Sequence, residues 1–168
     1  MRTPGTSYFT LRLALLIAPF GIVDGANAAC APASPVNNVT VTCAGATANQ
    51  NVIDGYGTNT DTGNTYNILT GASVTGANAG LIFGNAGTVN NSGTIAGAGA
   101  GNNGGILAVS GGTVNNSGVI SGTGANSFGV VFFGAGSVAN SGSISGVKDG
   151  VFMRRALSLA HSSSSATR

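Results

Sequence analysis

The chain has 168 residues, of which only 6 are Lys or Arg and 4 are Asp, with no Glu, one His and no Trp. A charged fraction of 6%, where an ordinary globular domain has about 25%, combines with 42% apolar residues and a net charge of +2. This excludes a disordered polyelectrolyte and a basic nucleic-acid binder, and the 29 glycines with abundant Asn, Thr, Ser and Val favour strands and turns over helices.

In chain order, residues 1–28 read as a secretory signal. Arg2 and Arg12 form a positive start, Leu13–Val23 is an apolar run, and Ala26-Asn27-Ala28 offers small residues for cleavage after Ala28. The run is shorter than the roughly 20 residues a membrane-spanning helix needs. Export delivers the chain to an oxidising compartment, where Cys30 and Cys43 are expected to form a disulfide. Residues 29–65 are read as an N-terminal cap segment containing that bond.

Residues 66–153 carry an internal repeat. Gly87-Thr88-Val89-Asn90-Asn91-Ser92-Gly93-Thr94-Ile95-Ala96-Gly97 recurs from Gly112 and again from Gly136, at offsets of 25 and 24 residues. A degenerate copy spans 67–76. A second motif keeps the same rhythm: Gly80-Leu81-Ile82-Phe83, Gly105-Ile106-Leu107-Ala108, Gly129-Val130-Val131-Phe132 and, after a shorter spacing of 21, Gly150-Val151-Phe152-Met153. Each unit therefore holds three short strands. The Asn-Ser-Gly triplet between the first two is turn chemistry, because Gly and Asn tolerate positive φ.

No unit can bury its apolar side chains alone, but stacked units place Val on Val, Ile on Ile and Asn on Asn about 4.8 Å apart. The predicted fold is all-β, a parallel β-helix (β-solenoid) of about four coils of 21–25 residues. An antiparallel sandwich would also give short strands, but it would not require identical residues at fixed offsets. Stacking also explains why no residue from Thr62 to Val147 is charged, because a charge repeated in every coil would face its own copy. Residues 154–168 break with this pattern. They contain no Gly, and they hold the only His and Arg154, Arg155 and Arg168; they are read as an aberrant tail.

The Gly-Thr-Val-x-Asn-Ser-Gly-x-Ile-x-Gly coils, preceded by a signal and a Cys-x12-Cys segment, resemble the passenger region of Gram-negative autotransporters, of the repetitive Gly- and Asn-rich adhesin-like kind. Asp54–Asn64 is similar to the entry into the first coils of such proteins. The resemblance covers roughly residues 1–153. It implies a right-handed β-helix, export across the inner membrane, and display at the cell surface through a C-terminal outer-membrane β-barrel. The tail after Met153 is too short for that barrel, so the chain is expected to be a truncated passenger, left in the periplasm or secreted. The expected partners are host or neighbouring cell surfaces, and open strand edges make end-to-end self-association a further expectation.

The inventory of reactive groups is sparse. β-Helices that cleave polysaccharides need clustered carboxylates, and this alternative function would have to use Asp54, Asp61 and Asp149. The first two precede the clear coils and the third lies near the end. His161 is the only imidazole and sits in the tail, which leaves no nucleophilic triad. Asn59–Asn64 offers oxygen ligands with a single carboxylate, short of a calcium loop. The expectation is no catalytic, cofactor or metal site. Thr88, Thr113 and Ser137 line up as a hydroxyl column that could order water, but the next column (Thr94, Val119, Ser143) is irregular.

Overall fold

A computed structural model describes residues 29–154. The signal with its cleavage site at Ala28, the tail from Arg155 onward and His161 lie outside the described residues.

The described chain is a parallel β-solenoid with three sheets and no helix. The first sheet stacks β1 (Thr40–Cys43), β3 (Thr65–Ile68), β6 (Gly87–Asn91), β9 (Gly111–Asn116) and β12 (Ala135–Asn140). The second stacks β2 (Ala46–Ala48), β4 (Ser73–Gly76), β7 (Thr94–Gly97), β10 (Val119–Gly122) and β13 (Ser143–Ser145). The third stacks β5 (Leu81–Phe83), β8 (Gly104–Ala108), β11 (Phe128–Phe132) and β14 (Asp149–Met153). Every pair of neighbouring strands is parallel and in the register the repeat requires: Val89 on Val114 on Val138, and Ile95 on Ile120 on Ile144.

There are five turns rather than the four read from the repeats. The additional first turn comes from β1, β2 and Tyr56, which bridges to Leu81, all inside the segment expected to be only a cap. β1 pairs Thr40, Val41 and Thr42 with Thr65, Tyr66 and Asn67, so the solenoid begins before its sequence repeat becomes recognisable.

Alternate side chains point inward, as the two-residue period of a strand dictates. Val41, Tyr66, Val89 and Val114 form one fully buried column, Val74, Ile95 and Ile120 a second, and Tyr56, Leu81, Ile106 and Val130 a third. The third sheet is covered on both sides. Its outward residues Ile82, Leu107 and Val131 stack into a second apolar cluster with Ala79 and Phe128, and Val109, Phe133 and Phe152 pack against it. This is why the Gly-(Leu/Ile/Val) motif reads as a continuous apolar run rather than an alternating one.

The Asn-Ser-Gly triplets form the corners between the first and second sheets, without using positive φ. No Asn or Gly of the three triplets has positive φ. Glycine is required there by close approach: a Cβ on Gly118 would lie 2.1 Å from Gly93 O, and one on Gly142 would lie 2.2 Å from Gly118 O. Corner backbones of successive turns are in direct contact, leaving no room for a side chain.

Cys30 and Cys43 are disulfide-bonded across a sequence separation of 13. Both are buried at the N-terminal end of the core, and Ala31 adds an antiparallel bridge to Thr42. A loop of this length contributes about 3 kcal/mol through loss of unfolded-state entropy. Urea unfolding of the chain begun at Ala29, with and without a thiol reductant, is expected to show that loss as a lower midpoint. An unchanged midpoint would mean that the first turn holds without the bond.

Candidate functional surface

The most regular chemistry lies on the first sheet and its corner with the second. Two columns face outward from that sheet. One is hydroxyl: Thr40, Thr65, Thr88, Thr113 and Ser137 in register. The other runs Thr42, Asn67, Asn90, Asn115 and Ala139. Thr40 and Thr65 escaped the sequence reading because β1 and β3 lack the Asn-Ser-Gly corner. The shared Thr-x-(Thr/Asn) spacing was the available signal.

The asparagines form two ladders. In the outer one, Asn90 Nδ2 donates to Asn67 Oδ1 and Asn115 Nδ2 donates to Asn90 Oδ1, both at 2.9 Å. In the inner one, Asn91 Nδ2 donates to Asn116 Oδ1 at 2.7 Å and Asn116 Nδ2 to Asn140 Oδ1 at 2.8 Å. Each inner Asn also ties its own corner: Asn91 Oδ1 accepts from Gly93 N, and Nδ2 reaches Gly93 O and, in the next turn, Val119 O. Asn91 and Asn116 are buried, so their amides must be bonded inside the protein, and the ladder does this. At the corner, stacked Asn, Ser and Ala residues line an open groove of about 430 Å³ from Asn90 to Ser141. It contains no charge and no aromatic ring.

Asp54 and Asp61 lie in the first turn and Asp149 at the opposite end. Asp54 is half-buried in the first turn, where one oxygen, Oδ1, accepts from Asn78 Nδ2 and Ala79 N, both at 2.9 Å. Asp61 is fully buried. Ser34 Oγ donates to both its oxygens, at 3.1 and 2.8 Å, and Thr58 Oγ1 donates to Oδ1 at 2.6 Å. The Ser34 hydroxyl ties the N-terminal arm to the first turn. Asp149 is exposed in β14 at the opposite end, and its neighbour Lys148 places Nζ 5.5 Å from the Phe128 ring centre. Among the described residues, no three Asp, Glu, His or Cys side chains gather into a possible metal-binding group.

Beside Asp61, Tyr56 packs edge-to-face on Tyr66 and Tyr66 stacks on Phe83, with ring centres 6.1 and 5.5 Å apart respectively. Burial pushes the Tyr66 phenol up to about 12, opposed by the hydrogen bond from Asn64 and assisted by the Asp61 charge. Tyr56 is raised further, by burial first and then by Asp61 and Tyr66. Its hydroxyl donates to Pro32 O. An unfolded phenol ionises near pH 10, so the stabilisation is present in full below that pH and is lost as pH rises through about 12. A chain begun at Ala29 has only these two tyrosines. Phenolate absorbance is expected to stay absent at pH 10–11 while the fold persists, and to appear together with loss of the β-sheet circular dichroism. Normal ionisation near pH 10 in the folded protein would contradict this burial.

No protein-family model matches the chain, and neither a curated protein nor a solved structure matches it.

Proposed function

We propose that the protein is an exported, non-catalytic adhesin-like solenoid of the autotransporter-passenger kind, whose outer face makes adhesive contacts with host or neighbouring cell surfaces. The observation that carries this reading is the first sheet's outward side, where uncharged hydroxyl and amide columns repeat turn after turn. Such a face offers many weak hydrogen bonds in a fixed lattice. Its contacts gain strength through repetition rather than through any single site.

The signal-like N-terminus and the disulfide at the head of the core support export. Asp61 is fully buried with its oxygens already accepting from the Ser34 and Thr58 hydroxyls, and Asp149 lies at the other end of the solenoid, which supports a binding rather than a hydrolytic role.

Two measurements test the reading. Residues 1–28 fused to a reporter that is active only when oxidised should give activity in the bacterial periplasm, with the new N-terminus at Ala29. The purified chain from Ala29 should adhere to whole cells, and joint Thr88→Ala, Thr113→Ala and Asn115→Ala substitutions should reduce adhesion several-fold with the fold intact. Depolymerisation of a polysaccharide that is lost with Asp54→Asn or Asp149→Asn would overturn the reading in favour of a β-helical polysaccharide-degrading enzyme.

A further inference from the structure

Two polar columns line the groove at the corner between the first and second sheets. One is the outer ladder, in which Asn115 Nδ2 donates to Asn90 Oδ1 and Asn90 Nδ2 to Asn67 Oδ1, both at 2.9 Å. The other is a hydroxyl column at the corner itself, where Ser117 Oγ lies 3.1 Å from Ser92 Oγ and both serines are exposed.

The outer ladder does not exhaust its amides. A primary amide has two N–H donors and two acceptor lone pairs. Asn90 uses one donor on Asn67 and one lone pair on Asn115, which leaves one of each for a ligand. Asn115 likewise keeps a second N–H. The groove thus offers donor and acceptor together, in successive turns about 4.8 Å apart.

That spacing and the absence of charge select the occupant. A chain lying along the solenoid axis has to repeat its own polar groups at the same distance. A peptide strand advances about 3.3 Å per residue and presents like side chains only every second residue, so neither of its periods matches. Nucleic acids and acidic glycans need cations, and no residue from Thr62 to Val147 is charged. An extended, β-linked chain of neutral hexoses advances by close to one turn spacing per ring, and each of its hydroxyls can donate and accept.

We propose that this groove holds an uncharged, extended β-linked polysaccharide lying along the solenoid axis, one ring per turn, bonded to the amides of Asn90 and Asn115 and the hydroxyls of Ser92 and Ser117. The proposal rests on the adhesive reading of this surface and names its partner. The groove has no aromatic ring on which a sugar could stack, so a single ring gains little and affinity grows with the number of rings held in register.

The test titrates the chain from Ala29 into fluorescein-labelled cellobiose, cellotetraose and cellohexaose and follows anisotropy. Cellotetraose should bind about tenfold more tightly than cellobiose, with a smaller further gain for cellohexaose because the ladder has only three asparagines. Maltohexaose, whose α-linked chain coils, should not bind. Asn115→Leu and Ser117→Ala should each weaken cellotetraose binding about fivefold with circular dichroism unchanged, whereas Ser121→Ala, on the second sheet, should leave binding as it is. Equal affinity for all three lengths, equal binding of maltohexaose, or no binding by a chain that still adheres to cells would overturn the proposal and leave the adhesive reading standing. Length-dependent binding by a chain that adheres to no cell would support the polysaccharide site and count against the adhesive reading alone.

Discussion

Asn116→Asp is expected to destabilise the protein by about 3 kcal/mol or more, a large fraction of the roughly 5–15 kcal/mol that holds an ordinary domain together. The two N–H donors of the Asn116 amide are shared among three oxygens: Asn140 Oδ1, Gly118 O and Ser143 O. A carboxylate has none to give, and it would sit buried against all three. The neighbouring change, Asn115→Asp, places the same charge one residue away on the outer face. It removes one exposed hydrogen bond to Asn90 and should cost about 1 kcal/mol or less. Urea denaturation of the two variants gives the comparison directly. Equal losses would mean that the buried ladder is not what fixes the corner.

The second large effect concerns a glycine and the side chain that needs it. Gly105 lies in register with Gly129 in the third sheet, under the isoleucine column of the second. A Cβ on Gly105 would fall 2.5 Å from the Ile120 Cγ2 methyl and 2.7 Å from Gly129 O. Gly105→Ala should therefore cost about 1–3 kcal/mol as overpacking. Ile120→Ala, at a fully buried position, should cost about 2–5 kcal/mol. Because truncating Ile120 removes the methyl that blocks the new Cβ, the double variant should lose less than the sum of the two. The interaction is expected to be about 1 kcal/mol, within the usual range for residues in contact, with the clash against Gly129 O remaining. Strict additivity would show that the glycine column serves the backbone alone and not the isoleucines. The same geometry recurs at Gly80 with Ile95 and at Gly129 with Ile144.

The three-strand turn and its register could be read from the sequence because identical residues at fixed offsets leave stacking as the economical explanation. Val89, Val114 and Val138 fall in one column for that reason. The first turn could not be read in this way. Its core positions are Val41, Thr47 and Tyr56, and Cys43 stands where the later turns carry Asn91 and Asn116. A solenoid end is not repetitive because one of its sides meets an arm instead of another turn. Between β3 and β4 the corner also holds two residues more than the corner between β6 and β7, which is why the copy at 67–76 reads as degenerate.

The candidate surface was half legible. Thr88, Thr113 and Ser137 were apparent as a column, but its continuation to Thr65 and Thr40 needed the register. The buried role of Asp61 was invisible in the sequence, because its partner Ser34 reaches it only once the arm has folded back. The outward apolar cluster around Val131 was equally hidden, since an apolar run does not say which of its faces are covered.

The two asparagine ladders have a consequence for length. Along the inner ladder every amide gives its proton toward the C-terminal end, from Asn91 to Asn116 to Asn140. Along the outer ladder every amide gives it toward the N-terminal end, from Asn115 to Asn90 to Asn67. Aligned amide dipoles add up along a stack, as peptide units do along a helix, and a single ladder would polarise further with every added turn. Two ladders running oppositely, on neighbouring residues, cancel. Wherever a turn carries both asparagines, it adds hydrogen bonds without adding to an axial dipole, so such turns can be multiplied without charging either end.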